Sequence, residues 1–420
     1  MIIMNNINNL EYSISKQKIQ NLKEKSNFKK KYVFLNDICS SEECYGDYKV
    51  SNINNLDDFR QFYQFPFTLY KNNKNWVAPF WNEINDFFKS DNIFWSHSES
   101  KLFIIKKEDK VVGRIASIID KKYCEYNNQK IGFFGFFECI NDKKCAEILF
   151  EKTENWLKEK GMNLMRGPID GRVDMGCGFL YKGFNLPSSL LSTYTPKYYN
   201  QLVENYDFKK SRDLIIYYVD LKKHLPKKLE KIAEESQSNG LKIRFINRLK
   251  VNKELNWWTK SFLRTFSNHW GYVPVSSDEV KTRFGVNNMR WYLDSKLFLI
   301  AEKNKKPVAY IWATPDYNQI FKEMNGRLGF SQYLRFLVKK NQINVGKLHL
   351  IGIEKEYRDK NIASYLNYLI LLEMIKRGYV GAEVGWIDEE NKIAHNTISK
   401  TGAYPFKIHR VYEKKIKNIN

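Results

Sequence analysis

Ile351-Gly352-Ile353-Glu354-Lys355-Glu356-Tyr357-Arg358-Asp359-Lys360-Asn361-Ile362-Ala363, followed by the apolar run Ser364 to Met374, is the stretch whose reading decides the fold. It reads as a buried strand, a basic turn and the start of a helix, in that order. Such an order aims a helix N-terminus and its unpaired N–H groups at an anion, and a phosphate-bearing ligand is the expectation. Downstream, Gly381 to Ile387 alternates like a half-buried strand. Asp388-Glu389-Glu390-Asn391 then opens a helix that runs to Lys400 and is stopped by Gly402.

The segment resembles the acyl-CoA-binding motif of the GNAT acyltransferases, Arg/Gln-x-x-Gly-x-Gly/Ala. Arg358 and Ala363 fit it, and Asn361 stands where that family has glycine. Asparagine tolerates left-handed backbone angles better than most residues. The resemblance implies acyl-CoA or acetyl-CoA as cosubstrate, held by Ile351, Ile353, Arg358, Asp359, Lys360, Asn361, Ile362 and Ala363, with Asn391 beside the CoA arm. It also implies a tyrosine seven residues after that asparagine to protonate the departing thiolate. Ile398 occupies that place, so Tyr404 and Tyr412 are the replacement candidates.

Working outward, the same element order occurs twice. In the amino-terminal half, Asp47 to Ile53 reads as a strand, Leu56 to Tyr70 as a helix, and Lys101–Lys106 with Val111–Ile119 as a hairpin around Lys107-Glu108-Asp109-Lys110. Ile131 to Cys139 is an apolar strand, Asp142 to Lys160 a helix, Met162 to Arg166 a strand. In the carboxy-terminal half the series is Lys242–Ile246, Lys253–Thr265, a hairpin around Lys303-Asn304-Lys305-Lys306, then Leu348–Ile353. The expected organisation is a poorly ordered extension over 1–44, a degenerate GNAT-like unit over 45–220, a connector over 221–240 with a helix after Pro226, and a CoA-binding unit over 241–420. The fold class is α/β with mixed α+β character: two tandem GNAT units, each a central mixed sheet flanked by helices.

The resemblance also rests on Phe65-Pro66-Phe67-x-Leu69-Tyr70, Gly132-Phe133-Phe134-Gly135-Phe136-Phe137-Glu138, Arg166-Gly167-Pro168, His269-Trp270-Gly271-Tyr272-x-Pro274 and Pro315-Asp316-Tyr317-Asn318-Gln319. These blocks are similar to a family of bacterial double-GNAT proteins. The implied activity is transfer of an acyl group from acyl-CoA to an amine, small or lipid. Alternatives are a non-catalytic ligand-binding GNAT module and an aminoacyl-tRNA-dependent ligase, because fold alone does not decide function.

Amine acylation needs a base, donors for the oxyanion and a proton for the thiolate. Glu383 near a strand end and Glu354 before the turn are the base candidates, and backbone N–H groups after Ile353 are the oxyanion donors. His97, Trp270, Tyr317 and Asn318 are candidates for the acceptor pocket. In the amino-terminal half, the acidic run Glu138 to Asp142 stands where the phosphate turn would be and would repel pyrophosphate. That half is expected to shape the pocket. Cys177, in the glycine-rich loop Gly167–Gly178, is a weak nucleophile candidate without a nearby histidine.

The formal charge of +22 suits an anionic partner: CoA, a membrane surface or nucleic acid. Peripheral membrane contact is left open, nucleic acid is disfavoured without being ruled out, and no oligomeric state is implied. Six cysteines without CxxC pairs or histidines at zinc spacing imply reduced thiols and no metal. No secretory leader pattern and no run of about 18 apolar residues occurs, so a soluble cytoplasmic protein is expected.

Overall fold

A computed structural model of the chain describes residues 31–35, 42–238, 240–283, 293–358 and 361–417. The first half contributes strands β1 (Glu42–Tyr45), β2 (Tyr48–Asn52), β3 (Ser98–Lys107), β4 (Lys110–Asp120), β5 (Ile131–Cys139), β6 (Leu164–Gly167), β7 (Phe179–Lys182) and β8 (Lys209–Asp220). The second contributes β9 (Lys242–Phe245), β10 (Phe298–Lys303), β11 (Lys306–Pro315), β12 (Val345–Ile353), β13 (Gly381–Asp388) and β14 (Tyr404–Lys415). Helices α1 (Leu56–Leu69), α2 (Trp81–Phe87), α3 (Lys121–Asn127), α4 (Lys143–Glu159), α5 (Tyr198–Asn205) and α6 (Lys227–Ser238) accompany the first half. Helices α7 (Val251–Thr265), α8 (Ser277–Arg283), α9 (Asn318–Met324), α10 (Phe330–Lys339), α11 (Ile362–Lys376) and α12 (Lys392–Ser399) accompany the second.

Local chemistry repeats between the halves. The β3/β4 hairpin turns on Glu108 and Asp109, at φ of 49° and 60°, and the β10/β11 hairpin on Asn304 and Lys305, at 52° and 62°. Two consecutive left-handed residues make the tight turn whose twist matches that of the flanking strands. Each half then has one parallel pair joined by a helical crossover, as parallel strands require: β5 and β6 through α4, β12 and β13 through α11. The α4 crossover starts at Asp142, whose carboxylate accepts the Cys145 N–H at 2.9 Å.

All fourteen strands form one sheet, in the order β1-β2-β3-β4-β5-β6-β14-β8-β13-β12-β11-β10-β9, with β7 also paired to β14. Apart from the edge strand β1 and the off-path β7, the order is symmetric about the central β14/β8 pair. The last strand of the first half, β8, pairs with β13 of the second, and the last strand of the second half, β14, pairs with β6 of the first. The β14/β8 pairing itself runs from Tyr404↔Tyr218 to Glu413↔Lys209. Each unit is therefore completed by a strand from the other half of the chain. Leu214, Ile216, Val219 and Val411 are buried along this joint, and each fully buried side chain of this kind contributes about 1.5–3 kcal/mol.

Within the segment 1–44, residues 1–30 and 36–41 lie outside the described residues. The remainder is packed: Phe34 and Leu35 are buried, Phe34 lies 4.6 Å from the Phe59 ring, and Glu42–Tyr45 is an edge strand. The connector carries α6 as expected, and Glu230 accepts a hydrogen bond from Tyr368 of α11 at 3.3 Å.

Because each half-sheet is closed by a strand from the other half, residues 1–220 expressed alone should be insoluble or unfolded by circular dichroism. Co-expression of 1–240 with 241–420 should recover a folded one-to-one complex. A stable, monomeric, cooperatively unfolding 1–220 fragment would contradict the exchange.

Candidate functional site

The β12/β13 pair holds register only from Val345↔Gly381 to Leu348↔Val384. Beyond that step both strands continue without each other, β12 to Ile353 and β13 to Asp388. Two irregularities force them apart. On β12, Trp312 of β11 faces Leu350 and Ala313 faces Leu348, so His349 is the extra residue of a bulge and has no register partner on either side. On β13, Gly385 sits at φ +99°, where the pairing with β8 skips from Val384 to Ile387. The result is a V open to solvent: His349, Leu350, Ile351, Ile353 and Gly385 to Asp388 are all partly exposed.

The first half has the same bulge and no open V. There Phe136 is left-handed at φ 49°, where β4 and β5 slip register, yet residues 134–139 and 167–169 are all buried. The loop after β6 fills the gap. Asp170 accepts the Phe136 N–H at 2.5 Å, and a Cβ on Gly135 would lie 2.3 Å from the Ile169 carbonyl oxygen. Glu138 accepts the Tyr70 and Tyr199 hydroxyls at 2.7 Å each. Burial raises Glu138 to about 7 against the pull of Arg114, and raises Asp170 to about 6 against its bond to Phe136 N–H.

At the apex of the open V lies a buried charge cluster. Glu383 meets Lys347 at 3.4 Å and Lys407 of the exchanged strand β14 at 2.8 Å. The two ammoniums also donate to Ser189 Oγ at 3.1 Å and to the Pro187 carbonyl at 2.6 Å. Burial alone would raise the Glu383 carboxyl, but Lys347 and Lys407 outweigh it and hold it below the ordinary range. Burial lowers the Lys347 ammonium, an effect that Glu383 opposes. Asp316 stands behind, pushed up to about 6 by burial and by the charge of Glu383.

Beside the V is a small cleft open to solvent whose lining includes Cys177, Leu191, Thr193, Trp386 and His409. Burial lowers His409 to about 4 and His349 to about 3, with neighbouring lysines adding in each case, so both imidazoles are neutral at pH 7. His409 Nε2 lies 3.0 Å from the Thr193 carbonyl oxygen. A carbonyl only accepts, so Nε2 carries the proton and Nδ1 holds the lone pair. His349 Nε2 is 2.8 Å from Thr314 Oγ1. Cys177 is buried and its thiol raised well above its usual range, which makes it inert as a nucleophile.

The chain matches no family model. It is 27% identical to Protein YghO of Escherichia coli (strain K12) over 86% of this chain and 94% of that one. It is 24% identical to a bacterial ceramide synthase of Caulobacter vibrioides over 88% and 97%. Among solved structures, a tandem GNAT protein from the clavulanic acid biosynthesis pathway superposes with a TM-score of 0.54 at 9% identity, covering 89% of this chain and all of that one. The fold is that of the tandem GNAT proteins. A GCN5-related glucosamine N-acetyltransferase region of a fungal multi-domain protein agrees, with a TM-score of 0.53 at 12% identity, over 90% of this chain and 39% of that one.

Within this GNAT frame the residues singled out from sequence separate into groups. Ile351 and Ile353 line one arm of the V, and the turn follows directly. Asn361 adopts φ +56° as the N-cap of α11, the conformation expected of it in the glycine position, and makes no side-chain capping bond. Ile362 is buried and anchors the helix, Ala363 is partly exposed, and Asp359 and Lys360 lie outside the described residues. Arg358 is exposed, with its guanidinium 3.3 Å from the Ile353 and Thr265 carbonyl oxygens. Trp270 reaches the site, its ring 6.4 Å from Trp386 and under the Arg212 guanidinium.

Other candidates are placed elsewhere or occupied. The Glu354 N–H, the first after Ile353, donates to the Val308 carbonyl at 2.9 Å, and His349 is the β12 residue without a register partner. The Glu354 carboxylate clasps α7 through Ser261 at 2.9 Å and Arg264 at 2.6 Å, and these partners hold it below the usual range despite burial. Asn391 caps α12 by accepting the Ala394 N–H at 3.1 Å, and Ile398 is core. Tyr404 is exposed, two strands from Glu383 at the same level of the sheet. Tyr412 lies in the first unit, its hydroxyl bonded to Asn200 at 2.9 Å and Glu204 at 3.0 Å, and burial raises it strongly.

Tyr317 packs on Phe321 and Phe336, and Asn318 donates to the Ser188 carbonyl at 3.2 Å, beneath the loop that borders the cleft. His97 is fixed at both nitrogens, 3.0 Å from Asp120 and 3.3 Å from Glu279 of α8, with Arg172 on the same Glu279 at 2.5 Å. It is a clasp between the two units.

Glu383→Gln should cost about 3–5 kcal/mol of stability in urea unfolding, because it leaves two buried ammoniums without a counter-charge. Wild-type stability together with abolished turnover would instead identify Glu383 as the base.

Proposed function

We propose that the protein is an acyl-CoA-dependent N-acyltransferase that seats its donor in the V of the second unit and its amine in the adjoining cleft. The observation that carries this reading is the asymmetry of two equivalent bulged strands. In the first unit the bulge N–H is taken by Asp170 and the gap is filled. In the second the arms are partly exposed and lead to a basic turn and a helix N-terminus suited to pyrophosphate. The bulge at His349 supplies the backbone donor for the thioester oxygen.

In the reaction the amine nitrogen attacks the thioester carbon, the C–N bond forms and the C–S bond breaks. His409 lines the cleft with its Nε2 bound to the Thr193 carbonyl, so its Nδ1 is assigned as the acceptor of the proton that nitrogen loses. Water at the exposed arms of the V protonates the thiolate, since Ile398 cannot and Tyr412 is committed elsewhere. The ceramide synthase among the relatives supports an amine with lipid character as acceptor, and the cleft wall of Leu191 and Trp386 suits one. Ile398 favours a second reading, a module that binds CoA without turning it over.

His409→Ala should lower kcat by about 10²-fold, the scale of general base catalysis, and leave CoA affinity unchanged by calorimetry. Arg358→Glu should weaken CoA binding by about 2 kcal/mol, through a lost charge-assisted contact and added repulsion. Thiol release from acyl-CoA with long-chain amines is the assay. CoA bound without turnover of any amine would favour the non-catalytic module, and no CoA binding would overturn both.

A further inference from the structure

Helix α10 shows an apolar stripe to solvent. Phe330, Leu334, Leu337 and Val338 fall within one arc of the helix, extended by Tyr333 and preceded by Leu328. Phe330 is 78% exposed, Val338 74% and Leu328 58%, and no residue of the helix is buried. A water-facing helix is expected to turn such a stripe inward. Instead, α10 is held to the protein by its other side. Phe336 packs 5.6 Å from the Tyr317 ring, while Arg335 and Lys339 both reach Glu323 of α9, at 3.7 and 2.6 Å.

The charge around the stripe has one sign. Arg335 and Lys339 are taken up by Glu323 on the other side of the helix, while Lys322, Arg327 and Lys340 adjoin the stripe in sequence, in a chain of net charge +22. Lys322, Arg327 and Lys340 are exposed. An amphipathic helix with an aromatic and aliphatic face flanked by cations lies flat in the headgroup region of an anionic bilayer. No helix among the described residues is long and apolar enough to cross a membrane, so the contact is with the surface.

We infer that α10 is a docking helix for an anionic membrane surface. Its position relative to the cleft gives the docking a consequence. Leu190 packs in the same cluster as Tyr317 and Phe336, and its N–H donates to Asp316 at 2.8 Å. The next residue, Leu191, is 62% exposed and lines the cleft. The loop at the cleft edge is thus continuous with the base of the docking helix, and a lipid entering the cleft passes along it. This consequence rests on the acyltransferase reading; the docking does not.

The test is co-sedimentation of the full-length protein with phosphatidylglycerol-rich vesicles and with pure phosphatidylcholine vesicles. Binding to the anionic vesicles, weakened by salt, is expected. The triple variant Phe330→Ser, Leu334→Ser, Val338→Ser should lose at least about 10-fold in vesicle affinity. It should keep the melting temperature and CoA affinity of the wild type, since these side chains face solvent. Arg327→Glu with Lys340→Glu should weaken binding to anionic vesicles selectively. Vesicle binding that the triple variant leaves unchanged, or no binding at low salt, would overturn the proposal. So would light scattering that shows a dimer dissociated by the triple variant, which would make the stripe a contact between two copies.

Discussion

The antiparallel pairing of β8 with β14 is the interaction on which the rest of the molecule depends. It fuses two half-sheets into one and makes each half supply the strand that closes the other. The open V inherits its floor from this exchange: Lys407, which neutralises Glu383 from one side while Lys347 does so from the other, arrives on β14. His409, two residues along, is brought to the cleft by the same strand. A buried charged cluster is weak evidence of stability in itself. Here it stands at the step where β12 and β13 separate, so it ties both arms of the V to the exchanged strand.

Much of the fold was legible in the sequence, and for local reasons. Lys107-Glu108-Asp109-Lys110 and Lys303-Asn304-Lys305-Lys306 between alternating apolar runs identify the two hairpins, and both turn on left-handed pairs. Gly402, Asn391 and Pro226 mark helix ends or starts where α12 and α6 have them. Asn361 was readable as a left-handed residue from its place in the turn. What could not be read was which strand closes which unit. Both β8 and β14 look like closing strands of their own halves, and the alternation of side chains within a strand does not encode its neighbour.

The site was legible to the same extent. The basic turn expected to hold phosphate is a contiguous motif, and its described residues follow an open pair of strands. Glu383 was a base candidate near a strand end, where burial raises a carboxylate's pKa; its two lysine partners come from separate strands, and the sign of the shift reverses. His349 and His409 carry no local signature. The first becomes visible only through the bulge that singles it out, and the second only through the Thr193 carbonyl that fixes its tautomer. Tyr412 looked available and is absorbed by Asn200 and Glu204 of the other unit, again as a consequence of the exchange.

Of two equivalent bulged sites, one is open and the other is sealed by its own chain. Backbone hydrogen exchange read by mass spectrometry, with and without CoA, tests it most directly, because it reports each strand separately. New protection is expected in 349–358, 361–366 and 385–388, with none in 134–139 or 167–171. Protection of the first-unit segments by CoA, or of neither set at saturating CoA, would contradict it.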